Sequence, residues 1–108
     1  MWCTDGPHGI RPEVLWDEWE QAGWTNDSCT AFPALTCLAA TWNPEMSALY
    51  GKSIGEEARY REKDILLGPG VNIYRTPLNG RNFEYISEAP YLAGKLSAAY
   101  IRGVQSRG

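Results

Sequence analysis

Apolar side chains recur at helical spacing in two blocks of this chain. The first block is Met46, Leu49, Tyr50, Ile54 and Ala58. It is preceded by Asn43-Pro44-Glu45, which supplies a capping side chain, a proline at the first helical position and an acid in the first turn. The spacing predicts a helix from Pro44 to about Arg61, with Glu56 and Glu57 on its solvated side. The second block is Leu92, Leu96, Ala99, Tyr100 and Val104, opened by Pro90 and running to about Val104. Its cap position is Ala89, and alanine is a poor cap. Arg102 and Arg107 stand near its C-terminal end, where cations complement the helix dipole.

Between and before the helices, short apolar runs predict strands. Ile65-Leu66-Leu67, introduced by Asp64, reads as a buried strand. The run Ala34 to Trp42 has strand-like length, although its alanines leave it ambiguous. Met1 to Thr4 is short and apolar and breaks at Asp5-Gly6-Pro7-His8-Gly9, so it reads as the end of an element whose beginning is missing. The order strand, helix, strand at this spacing predicts a βαβ unit with parallel strands. The chain is organised around Leu66 to Tyr85, an apolar run that breaks at Gly68-Pro69-Gly70 and continues as a long polar and aromatic loop. Such a strand delivers its C-terminal end into a functional loop.

The segment 11–30 is rich in tryptophan and acid: Trp16, Asp17, Glu18, Trp19, Glu20 and Trp24. It predicts an irregular surface loop with one short helix. Its indoles either stack on sugar rings or pack as a structural lid. Asn26-Asp27-Ser28 fits the N-glycosylation sequon, a match too short to weigh much.

Composition narrows the function. The chain has 108 residues, enough for one domain, with five Trp and six Tyr and a net charge of −3. That charge argues against nucleic acid or an anionic membrane as partner. No apolar run is long enough to span a bilayer, and no basic stretch followed by an apolar run is seen at residue 1, which carries little weight for a chain read as a fragment. The three cysteines, Cys3, Cys29 and Cys37, match no zinc or redox spacing and read as reduced, mostly buried thiols. With one histidine, His8, neither a metal site nor a Ser/His triad is supported, and Gly68-Pro69-Gly70 is not a phosphate loop. No cofactor is expected.

In a parallel α/β fold, function lies beyond the carboxyl ends of the strands. Asp5, Asn43 and the loop carrying Arg75 and Arg81 are placed there by the predicted elements. A carboxylate and a guanidinium on neighbouring loops can grip vicinal hydroxyls, one accepting and the other donating. Equally, Asp5 can cap its turn and Arg81 can brace its loop.

Six stretches carry a more specific resemblance. They are Thr4-Asp5-Gly6-Pro7-His8-Gly9-Ile10-Arg11, Phe32-Pro33-Ala34, Leu38-Ala39-Ala40-Thr41-Trp42-Asn43, Gly55-Glu56-Glu57-Ala58-Arg59, Leu66 through Asn72, and Pro77-Leu78-Asn79-Gly80-Arg81-Asn82-Phe83-Glu84. In order and spacing they resemble glycoside hydrolase family 3, most closely its β-glucosidases. The segment Leu15 through Thr25 is most similar to members from gut and rumen Bacteroidota. The resemblance implies α/β architecture: part of a (β/α)8 TIM-type barrel, about its first three parallel β/α units, within a much longer enzyme. Residues 1–108 would be a fragment of the N-terminal barrel domain. The implied reaction is retaining hydrolysis of terminal non-reducing β-D-glucosyl residues, which needs two carboxyl groups about 5–5.5 Å apart. In the family the nucleophile is an Asp late in the barrel domain and the acid/base is a Glu of the following domain. No residue here matches either, so no catalytic residue is expected in this chain.

By the resemblance, Asp5 is the carboxylate that binds sugar hydroxyls in the −1 subsite, and Arg81 is the arginine that binds the same sugar. Arg75 and Glu84 are expected to support the loop. The implied partners are a β-glucoside or oligosaccharide and the rest of the parent chain, and the implied location is periplasmic or secreted. One departure stands out: Ser87-Glu88-Ala89-Pro90 replaces the family's Ser-Glu-Asp-Pro, which removes the helix-capping Asp. A stand-alone carbohydrate-binding or interaction module is the alternative, and it would have to close its own core. A lyase or aldolase on the same architecture would want a lysine or metal ligands at strand ends, which are not seen.

Overall fold

A computed structural model describes residues 1–11 and 29–108. The Trp-rich segment expected to form a loop with a short helix, and the sequon within it, lie outside the described residues. In chain order the elements are strand β1 (Cys3–Asp5), helix α1 (Leu35–Ala39), helix α2 (Pro44–Tyr60), strand β2 (Ile65–Leu67), a 3-10 turn (Asn82–Glu84) and helix α3 (Pro90–Gln105).

β1 and β2 pair in parallel, with Cys3 opposite Ile65, Thr4 opposite Leu66 and Asp5 opposite Leu67. Side chains alternate across such a pair. Thr4 is buried and Leu66 packs against the core on the helix side. Cys3, Asp5, Ile65 and Leu67 are exposed on the other. β2 was expected to be buried throughout; instead its two outer residues stand open because helices cover one face alone. Cys3 is exposed for the same reason, and Cys37 lies on α1 away from buried Leu35 and Leu38. The expectation of mostly buried thiols therefore fails at these two positions.

The run Ala34 to Trp42 forms a helix, not a strand. Leu35, Leu38 and Ala39 are its buried residues, a helical spacing, and alanine favours helix over sheet. Thr41 donates its hydroxyl to the Leu38 carbonyl at 2.7 Å, and Trp42 follows in the left-handed region at φ 54°. Among the described residues the sheet thus has two strands, where a third had been expected, and Asn43 leaves the list of strand-end candidates.

α2 begins as its cap predicts. The Asn43 side chain accepts from the amides of Glu45 at 2.8 Å and Met46 at 3.1 Å. Its buried face is rotated from the expected one. Ser47, Tyr50, Gly51, Ile54, Gly55 and Ala58 are buried, whereas Met46 is 44% and Leu49 55% exposed. Glycines decide this: a Cβ on Gly51 would lie 2.1 Å from the Tyr100 carbonyl oxygen, and one on Gly103 would lie 2.3 Å from that of Ala48. Backbone approaches backbone there, so the small residues, not the largest apolar ones, define the contact with α3. The Ser47 hydroxyl adds a buried bond to the Leu96 carbonyl at 2.8 Å. Glu57, expected in solvent, accepts from the Thr30 amide at 3.0 Å and pairs with Arg61. Arg107 near the end of α3 pairs with Glu56 of α2.

α3 runs close to its expected span, and Ala93, Leu96, Ser97, Ala99, Tyr100 and Gly103 are its buried residues. Its cap, Ala89, makes no side-chain hydrogen bond to the first turn. Replacing Ala89 by Asp should stabilise α3 by about 1 kcal/mol. Slower amide exchange in the first turn of α3 would register the gain; unchanged exchange would mean that the existing Ala89 amide to Ser87 hydroxyl bond at 3.0 Å already organises this end.

Candidate functional site

The site is built at the C-terminal ends of the two strands. Asp5 closes β1, and the chain then turns through Gly6 to Arg11, whose amide returns to the Asp5 carbonyl at 3.2 Å. Gly6 has φ 137°, and a Cβ there would lie 1.6 Å from the Gly9 carbonyl oxygen, so the turn admits only glycine. The Asp5 carboxylate accepts from the Gly6 amide at 3.0 Å, the turn-capping role the sequence allowed. α3 supports the turn from below: the Tyr100 hydroxyl donates to the Pro7 carbonyl at 3.0 Å. Tyr50 lies alongside, its ring 5.7 Å from that of Tyr100, and donates to the Pro33 carbonyl at 2.6 Å. Burial pushes both phenols well above their usual pKa, so both remain donors.

The chain leaves β2 through Gly68-Pro69, a cis peptide. Gly70 then bridges Tyr85 in parallel, and the Ile86 amide donates to the Gly70 carbonyl at 3.1 Å. This tether brings the far end of the long loop back to the end of β2. The 3-10 turn preceding it carries Glu84, whose side chain is 12% exposed, while that of Arg81 is 71% exposed. The Arg81 Nε donates to Glu84 Oε1. That hydrogen bond and the charge of Glu84 raise the pKa of the guanidinium above its ordinary value, with smaller contributions from Tyr85 and Asp5.

A cavity of about 390 Å³ opens over this end of the sheet, within the size range of small-molecule sites. Asp5, Glu84, His8 and Arg11 are among its lining residues, together with Thr30 and Ala31. Asp5 is therefore in the wall. Arg81 is beside it, joined to the wall through Glu84, and Arg75 is an exposed residue of the long loop outside the lining. Glu84, a second choice expected to support the loop, lines the cavity itself. His8 also has a place that spacing did not suggest: its ring meets Phe83 edge-on at 5.4 Å, which joins the turn after β1 to the turn bearing Glu84. Its Nδ1 is buried without a hydrogen-bond partner among the described residues. Arg11, Thr30 and Ala31 gave no signal beyond their nearness to Asp5 and to the start of the apolar run. Among the described residues no group of histidine, cysteine, aspartate and glutamate could hold a metal ion, and no helix is long and apolar enough to cross a membrane.

The chain is similar in sequence and fold to known proteins. The β-glucosidase BoGH3A of Bacteroides ovatus is 72% identical over 108 residues, all of this chain and 14% of that protein. An exo-α-(1→6)-L-arabinopyranosidase of Bifidobacterium longum is 46% identical, across 97% of this chain and 14% of its own length. Among solved structures, β-glucosidase 3B of Thermotoga neapolitana in complex with α-D-glucose superposes with a TM-score of 0.82 at 44% identity, over 97% of this chain and 14% of that one. The chain thus spans about one seventh of the length of these relatives. The profile of the glycosyl hydrolase family 3 N-terminal domain matches residues 6–108. With a parallel strand pair, a helical layer and a cavity lined by Asp5 and Glu84 at the strand ends, this chain belongs to glycoside hydrolase family 3, within its N-terminal domain.

Proposed function

We propose that this chain forms part of the sugar-binding wall of a retaining β-glucosidase, acting on terminal non-reducing β-D-glucosyl residues. Residues 1–108 are then a portion of the N-terminal (β/α)8 barrel domain. The open face of the sheet supports this placement: Ile65 and Leu67, apolar and exposed here, would turn into the barrel interior, and Asp5 would stand at its mouth. Asp5 accepts sugar hydroxyls and Arg81 donates to the same sugar. One observation carries the reading: the ends of two parallel, adjacent strands lead into one cavity lined by Asp5 and Glu84, with Glu84 anchoring the Arg81 guanidinium beside it. The contact to the Asp5 carboxylate strengthens as the sugar takes on positive, oxocarbenium-like charge. A periplasmic or secreted location is part of the same proposal.

The carboxyl pair that breaks the bond is assigned to other parts of the parent protein. The 108-residue polypeptide by itself should therefore give no turnover of a chromogenic β-glucoside, whereas the full-length protein should turn it over. Hydrolysis by the 108-residue chain would overturn the assignment. The arabinopyranosidase relative favours a second substrate reading. An aryl α-L-arabinopyranoside offered beside the β-glucoside decides it, the larger kcat/KM marking the natural sugar class.

A further inference from the structure

Asp5 and Glu84 line the cavity and Arg81 stands beside it, but they are held very differently. Glu84 is fixed. Its carbonyl oxygen lies against Gly70, where a Cβ would come within 2.0 Å, and its amide donates to the Arg81 carbonyl at 3.2 Å. The next residue, Tyr85, bridges Gly70. The preceding residue, Phe83, packs on His8 of the Asp5 turn. Arg81 is the opposite case, a long side chain mostly in solvent whose ion pair is with Glu84 through Nε. A guanidinium carries five N–H donors in a rigid plane. Anchoring the Nε edge on a carboxylate whose backbone is fixed and whose side chain is 12% exposed sets that plane while leaving the two terminal amino groups for another acceptor.

We propose that Glu84 is a positioning residue. It binds Arg81 at Nε and thereby orients the terminal amino groups toward the sugar that Asp5 accepts from the other strand end. This rests on the reading of Arg81 as a sugar-binding residue. Glu84 itself is not a catalytic group. Its carboxylate offsets the Arg81 charge, so a neutral sugar meets an ion pair rather than a lone cation.

The test is a double-mutant cycle in the full-length protein, read as kcat/KM for an aryl β-glucoside. Glu84→Gln should lower kcat/KM about tenfold, because a neutral amide holds the guanidinium less firmly. In the Arg81→Ala background the same substitution should have little further effect, since there is no longer a guanidinium to orient. Glu84→Asp keeps the charge in a smaller side chain. It should retain more activity than Glu84→Gln, the reverse of what a space-filling role requires, and it stands in if the Gln variant fails to fold. Equal losses from Glu84→Gln with and without Arg81 would overturn the positioning role while leaving Arg81 a sugar-binding residue. Unchanged kcat/KM in Arg81→Ala alone would remove the sugar-binding reading, and the inference with it.

Discussion

Asp5→Ala in the full-length protein should lower kcat/KM for a β-glucoside by roughly 3 kcal/mol or more, on the order of a hundredfold, since each hydrogen bond to a charged group contributes about 1.5–3 kcal/mol. Asp5 sits on the exposed face of β1, where its carboxylate accepts from the Gly6 amide at 3.0 Å. Its carboxylate therefore does little for the fold that a local turn could not do without it. The turn is held independently by the Arg11 amide to Asp5 carbonyl bond and by Tyr100 from beneath. The loss should therefore fall on catalysis, with thermal unfolding nearly unchanged. Asp5→Asn separates the two roles: the amide oxygen can still cap Gly6, but the charge-assisted contact to a sugar hydroxyl is gone. Wild-type kcat/KM in the Ala variant would remove Asp5 from the subsite.

Gly51→Ala should force α2 and α3 apart and destabilise the fold. The added Cβ would meet the Tyr100 carbonyl oxygen at 2.1 Å and its carbonyl carbon at 2.9 Å. Both are backbone atoms, so no side-chain rotation relieves the clash and α3 must move away from α2. Overpacking of this kind costs about 1–3 kcal/mol and sometimes more, against which the helix propensity gained over glycine returns only about 1 kcal/mol. The displacement also falls on the residue that holds the site. Tyr100 is fully buried, and its hydroxyl supports the Pro7 carbonyl two residues from Asp5. Faster amide exchange across α2 and α3, together with a lower kcat/KM in the full-length protein, is the expected result. Unchanged exchange would mean that the two helices can separate without cost.

The difference between these two substitutions marks what could be read in the chain and what could not. The Asn43-Pro44-Glu45 start of α2 was legible because a cap is local chemistry: one side-chain oxygen and two amides within three residues. The poor cap at Ala89 was legible for the same reason. Asp5 at the end of a strand and before a glycine turn was also legible, since Gly6 and Gly9 leave the chain no other course. The run from Ala34 to Trp42 was not, because nine small and apolar residues satisfy strand and helix patterns alike. Packing of Leu35 and Leu38 into the core chose the helix. The burial of Glu84 was also invisible, because it depends on Gly70 admitting a backbone fifteen residues away in sequence.

Local rules set the starts of both long helices, the sharp turn after β1 and the place of Asp5 at the strand end. The tertiary structure alone decided which face of α2 is buried, that Ile65 and Leu67 stand open, and that Glu84 joins Asp5 in one cavity while anchoring Arg81. The physical reason is range. A cap or a glycine turn is settled by atoms a few residues apart. Close approach of α2 and α3, and the parallel register that sets Asp5 beside Leu67, are settled by surfaces that meet only after the chain has crossed over.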